Sequence, residues 1–197
     1  MARKVTITKE IILDTALKML IKDGYSSVNV KTLAKEIGCS TQPIVWHFEN
    51  MEGLRLALSE YAMIYAQKKA ASGGKNAVQG FENLGRSYVR MAIKEPNLFK
   101  FLYLGESPLG KPYSLKDIAR SDKNRQQITK MAEMTGLAEE QVINYVRSTI
   151  IYSHGIATMV ATGVFKGTEK EMMEMINKAA EAFLLGEGID PDKMPQE

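Results

Sequence analysis

Leu33 to Phe48 reads LAKEIGCSTQPIVWHF, and it gathers the chain's only Cys, its only Trp and one of its two His within a few residues of each other. Such crowding invites a metal or nucleophile reading, but helical spacing gives a different one. Leu33, Ala34 and Ile37 form one apolar face of a short helix that stops at Gly38, the residue type that takes a left-handed conformation without a Cβ penalty. Ser40 can cap a following helix, and Pro43 falls in that helix's first turn, where a missing N–H loses no intrahelical partner. There Ile44 and Phe48, one turn apart, face inward, while Gln42, Val45 and Trp46 share the outward side. Cys39, beside the turn glycine, reads as a small buried hydrophobe rather than a nucleophile.

Two short helices joined by a tight turn make a DNA-reading helix-turn-helix when several demands coincide. Ala34 is small enough for a close helix crossing, and Gly38 opens the turn. Leu33, Ile37 and Ile44 fix the angle. Thr41 and Gln42 lead the second helix: in the major groove Gln bonds an adenine edge bidentately, and Thr offers a hydroxyl or a methyl. The DNA-contact set is therefore Asn29, Lys31, Ser40, Thr41, Gln42, Pro43, Val45, Trp46 and His47, with Asn29 also capping the first of the two helices. His47 lies at the edge of the inward face, able to donate to a phosphate. Trp46 and His47 also fit a second role, padding the seam with the rest of the chain.

Composition sets the frame. The chain has 197 residues, 45% of them hydrophobic and 25% charged, enough for one or two domains with a real core. Its N-terminus, MARKVTITKE, has no apolar segment behind the charges, and no long unbroken apolar run follows, so a cytoplasmic protein is expected. One cysteine forms no internal disulfide, and no paired Cys/His spacing offers a metal site; neither metal nor cofactor is expected. Through His47 there are seven Lys and Arg against four Asp and Glu, and the net charge of +3 resides wholly in that head. This is a modest pointer to a polyanion, and equally compatible with a solvated surface.

Helical periodicity dominates throughout, with no alternating strand pattern, so the fold class is all-α with about nine helices. Helices are predicted over about Thr8 to Lys22, from Asn29 to Gly38, after Ser40, over Glu52 to Ala71, Asn76 to Lys94 and Asn97 to Leu104. Further helices run up to Met134, from about Ala138 to Thr162, and from a capping box at Thr168 and Glu171 to Leu185. The break between a small basic three-helix head and a larger helical body is placed near Asn50.

ILDTALKMLIKDGYSSVNVKTLAKEIGCSTQPIVWHFENMEGLRLAL, Ile12 to Leu58, resembles the DNA-binding head of the tetracycline-repressor (TetR) family of transcription regulators. The resemblance implies an all-helical homodimer: residues 1–50 bind DNA, while 51–197 bind a small molecule and dimerise, changing the spacing of two recognition helices. Two positions depart from the family's pattern: Val45 stands where a phosphate-contacting Tyr is usual, and Met51 where a Lys usually opens the fourth helix. Losing two phosphate anchors weakens the nonspecific electrostatic term. DNA affinity then leans on Lys31, Lys4 and Trp46.

Beyond about residue 60 the likeness thins to YSHGIATMVATG, Tyr152 to Gly163, similar to a His-Gly-containing helix of many members. Gly155 and Met159 on this helix, with Met172, Ile176, Ala180 and Phe183 on the last, are predicted to form a four-helix dimer interface, unless they bury against their own chain. A largely apolar ligand site is predicted from Tyr145, Arg147, Ser148, Tyr152 and His154, with Tyr88, Phe99, Phe101 and Tyr103 walling the opposite side; each taken singly is an ordinary core residue. Gly105, Gly110 and Lys111 mimic a phosphate-binding loop, but Pro112 follows where that loop needs a hydroxyl, and no parallel sheet surrounds it. His47 and His154 lie in different units and no HExxH or GxSxG occurs, so the chain is not read as an enzyme. The reading is a ligand-responsive repressor released from a palindromic operator. Its alternatives are a dimeric binding module of the same fold without specific DNA binding, or an all-helical enzyme.

Overall fold

The computed structural model of the protein describes residues 7–70, 77–108 and 122–188. Among them are nine α-helices and no strand. They are α1 (Lys9–Asp23), α2 (Val30–Ile37), α3 (Gln42–Phe48), α4 (Met51–Ala70), α5 (Ala77–Lys94), α6 (Pro96–Tyr103), α7 (Asp122–Thr135), α8 (Glu139–Ala161) and α9 (Glu169–Gly186). No described helix is long and apolar enough to cross a membrane. Lys4, the glycine-rich Ser72 to Lys75 and the Gly110 to Pro112 part of the phosphate-loop mimic lie outside the described residues.

The chain divides into two compact units. The first joins the described residues up to Lys69 to those from Lys94 onward through the end of α6, and its centre is α1, which packs against α2, α3 and α6. Ile12, Ala16 and Leu20 of α1 are completely buried, at the helical spacing that the sequence shows. Thr8 caps α1 by accepting from the Ile11 N–H. α6 is fastened to the other end: Asn97 Nδ2 donates to the carbonyls of Ile21 and Lys22, each at 3.2 Å, satisfying orphan acceptors of the last turn.

The boundary expected near Asn50 is therefore displaced. Phe101 of α6 stacks on Tyr25 at 5.0 Å, the Arg55 guanidinium of α4 covers the same Tyr25 ring at 5.4 Å, and Arg55 Nε donates to the Glu106 carbonyl at 2.9 Å. Further along α4, Tyr65 and Lys69 both bond the Glu95 carboxylate, at 2.8 and 2.7 Å. These contacts hold α4 and α6 to the three short helices as one compact unit.

The second unit is built on α8, whose two halves serve two cores. Val142 and Val146 meet Ile128, Met131 and Ala132 of α7, and Ile156 meets Val89 of α5 with Met172, Met173 and Ile176 of α9. α9 starts with the predicted box, Thr168 Oγ1 accepting from the Glu171 N–H and Glu171 Oε2 from the Thr168 N–H.

Candidate nucleic-acid interface

The head's geometry begins at Asn29, whose Oδ1 accepts from the N–H groups of Lys31 and Thr32, each at 3.0 Å, while Thr32 Oγ1 accepts the Asn29 N–H at 3.1 Å. This reciprocal cap fixes where α2 starts and leaves Lys31 exposed in its first turn. Gly38 ends α2 in the left-handed conformation (φ 77°, ψ 35°), with its N–H and that of Cys39 both reaching the Ala34 carbonyl. α3 then crosses over a sealed seam: Leu33, Ala34, Ile44 and Phe48 are all buried.

The cap of α3 differs from expectation. Thr41, not Ser40, is the capping residue, in a right-handed conformation (φ −71°, ψ −17°) whose side chain makes no cap bond. Pro43 in the first turn already lacks the N–H that a cap would satisfy, which leaves Thr41 exposed and free to face a ligand. Ser40 and Gln42 are exposed as well, and Val45 and Trp46 stand outward at 47% and 77% exposure. Cys39, expected buried, is half-buried.

His47 is differently employed from the expected phosphate donor. Its Nε2 lies 3.0 Å from the Ile7 carbonyl oxygen, so the ring's Nε2–H donates to the chain just ahead of α1. In the neutral tautomer that this bond selects, Nδ1 has no proton to give. His47 thus seats α3 on the N-terminal segment, and Trp46 packs edge-on to it at 4.7 Å.

The junction from α3 to α4 is tight. Glu49 sits at φ 64°, ψ −51°, the one described residue other than glycine with positive φ, and the Asn50 N–H donates to the Phe48 carbonyl at 2.7 Å. Asn50 Oδ1 accepts the Gly53 N–H at 2.9 Å. A Cβ built on Gly53 would fall 2.2 Å from the Phe48 carbonyl oxygen, so α4 can begin at this distance from α3 only with glycine there.

A family model described as bacterial regulatory proteins, tetR family, matches residues 12–58, the span that folds into this head and the first turns of α4. YobS of Bacillus subtilis (strain 168), an uncharacterized HTH-type transcriptional regulator, is 22% identical over 189 residues, covering 94% of this chain and 95% of that protein. The head of this chain is thus of the TetR family's type. The chain is a DNA-binding transcription regulator with a helix-turn-helix head. Solved TetR structures share the whole fold. One from Acinetobacter baumannii superimposes with a TM-score of 0.61 at 16% identity, covering 92% of this chain and 96% of that one. A TetR regulator from Marinobacter aquaeolei gives 0.59 at 18%, covering 87% and 92%.

The body distributes the expected ligand residues over both units. Tyr88, Tyr145, Arg147, Ser148, Tyr152 and His154 lie in the second unit. Phe99, Phe101 and Tyr103 lie in the first, where Phe99 and Phe101 are fully buried and α6 packs on α1. Within the second unit Tyr88 Oη and His154 Nδ1 share a hydrogen bond of 2.6 Å, joining α5 to α8. Arg147 donates to Asn144 Oδ1 at 2.7 Å, along its own helix. Tyr152 lies edge-on to Phe183, and Tyr145 near Phe81. A surface cleft of about 420 Å³ in this unit is lined by other residues, Arg86 of α5 and Glu169, Lys170, Met173, Glu174 and Asn177 of α9.

Two expected dimer residues are also reassigned. Met172 and Ile176 are 0% and 5% exposed inside the core shared by α5, α8 and α9. The amphipathic stripe that they mark on α9 is its inward one. Ala180, Phe183 and Gly155 are half-buried, and Met159 is exposed.

Burial holds the His154 imidazole below its ordinary value of 6.5. The folded chain therefore keeps this group neutral where the unfolded chain would already bind a proton. Stability that is complete above the unfolded value is lost as the pH falls through it toward the folded one. His154→Gln is expected to flatten the acid side of a thermal-unfolding profile, below the ordinary imidazole value of 6.5. A parent and variant with parallel profiles would show that His154 is not a source of acid sensitivity.

Proposed function

We propose that the protein is a homodimeric repressor that leaves a palindromic operator when a small molecule binds its second unit. The observation that carries the DNA half is α3: a short helix with its apolar side sealed and Thr41, Gln42, Val45 and Trp46 outward, reached through a left-handed glycine. The operator set includes Asn29, Lys31, Ser40 and Pro43, while His47 acts by seating α3. The ligand half is supported by the hydrogen-bonded Tyr88 and His154 pair between α5 and α8, and by a likeness of fold. A variant of the Acinetobacter baumannii TetR, solved in complex with minocycline, matches with a TM-score of 0.58 at 14% identity, covering 92% of this chain and 96% of that one. Ligand acts by binding better to the dimer state whose recognition helices mismatch half-sites about one DNA turn apart.

The dimer face we assign is the outward stripe of α8 and α9. Ile151 and Met159 on α8 are 49% and 41% exposed, with Gly155 between them, and Met175 on α9 is 38% exposed. Apolar groups at this spacing on adjacent helices suit a two-fold partner carrying the same stripe.

Selection of genomic fragments by purified protein, followed by salt titration on the enriched sequence, tests this reading. A palindrome with steep salt dependence is expected. Thr41→Ala with Gln42→Ala should relax base preference, whereas Lys31→Ala should weaken all sequences alike and lower the salt slope by about one. If neither alters DNA binding, the contact assignment fails. A second reading, a ligand-binding dimer without an operator, is favoured by Val45 and Met51 at positions where the family usually anchors phosphates. It predicts no enrichment even at low salt.

A further inference from the structure

We infer that Val45 and Trp46 read thymine, by enclosing its 5-methyl group in the major groove. The inference rests on the DNA-binding reading above and gives it a base. The outward face of α3 has few hydrogen-bonding groups: Thr41 and Gln42 at its start, and beyond them Val45, which has none, and Trp46, whose large ring carries a single donor. Val45 and Trp46 are 47% and 77% exposed on the same side as Gln42, so an occupant that bonds Gln42 also covers them. In the major groove the thymine methyl is the one apolar group that a base edge presents; the other edges offer only donors and acceptors. An apolar pair there gains free energy against thymine and desolvates polar edges without compensation at other bases.

Two further features favour DNA as the occupant. Trp46 is exposed, with its ring edge-on to His47 at 4.7 Å, and His47 is bonded to the Ile7 carbonyl at 3.0 Å. A ring that already rests against a seated neighbour loses less rotamer freedom on contact than an unsupported one. The head that carries it also holds the chain's whole excess of positive charge, seven Lys and Arg against four Asp and Glu through His47, which suits a polyanion rather than an apolar protein partner. Where the family's usual tyrosine would spend this position on a phosphate, valine turns it to a base.

The test uses the full-length protein and the duplex enriched by selection. Each dT of a half-site is replaced singly by dU, which removes the methyl and nothing else. At one or two positions per half-site the replacement should weaken binding about fourfold, the value of one buried methyl. The Val45→Ala, Trp46→Ala double variant, whose side chains stand outside the core, should bind the dT and dU duplexes equally. A duplex bound as tightly after every dT→dU replacement overturns the inference and leaves the DNA reading intact. A dU effect that persists in the double variant also overturns it, because the methyl is then read by another residue such as Thr41. If no duplex is retained at low salt, it is the DNA reading itself that has failed.

Discussion

Glutamate at both Ile151 and Met159 is expected to yield a folded monomer whose affinity for a palindromic operator is lower by more than about a hundredfold. The two side chains are 49% and 41% exposed in the isolated chain, so charging them costs the protomer's own core little. In a two-fold dimer the same positions meet their counterparts, and four carboxylates would lie unpaired in a buried seam. Removing the partner of a buried charge typically costs about 3–5 kcal/mol, and like charges placed together are worse. Gly155, between them, has no heavy atom within 4 Å of where a Cβ would sit, leaving room for the close approach of a second helix. Sedimentation velocity and circular dichroism of parent and variant give the answer, with operator titration following. The effect on DNA arises because two linked half-sites become two independent ones. A variant that still sediments as a dimer would place the interface elsewhere.

That prediction depends on which stripe of α9 faces inward, and periodicity alone leaves that open. Met172, Ile176 and Phe183 recur at helical spacing, so the sequence discloses an apolar face without naming its cover. The structure buries Met172 and Ile176 against Val89 and Ile156 of their own chain. The weaker stripe through Met175 is left exposed. The same limit explains α6: Phe99 and Phe101 announce burial, but that α1 and Tyr25 provide it is a fact of chain topology. The head was far more legible, because its signals are local. Asn29 caps a helix two and three residues away, Gly38 turns the chain where it stands, and one turn of spacing separates inward Ile44 and Phe48 from outward Val45 and Trp46. What the head concealed were contacts across the sequence. His47 bonding Ile7 spans forty positions, and no pattern near His47 distinguishes it from a free imidazole.

Gly53→Ala is the substitution expected to damage the head most for the smallest chemical change. A methyl there would lie 2.2 Å from the Phe48 carbonyl oxygen and 3.3 Å from its carbon. Both are backbone atoms, so no rotamer change relieves the clash. The connector has little slack: Glu49 already holds a positive φ, and the Asn50 N–H is committed to the same Phe48 oxygen. Relief must come from moving the end of α3 or unwinding the start of α4, where the Gly53 N–H bonds Asn50 Oδ1. Overpacking of this kind costs about 1–3 kcal/mol. Against it stands the helix propensity of alanine over glycine, about 1 kcal/mol in the opposite direction. Sterics should win, since the opposing gain is smaller and presumes an undistorted helix. Denaturant unfolding should therefore show a lower midpoint for the variant. Operator affinity, measured where the variant is still folded, should fall further than stability does, because α3 carries Gln42, Val45 and Trp46 with it when it shifts. If Gly53→Ala proves as stable as the parent or more so, propensity has won, and the close approach of α3 to α4 does not constrain the recognition helix.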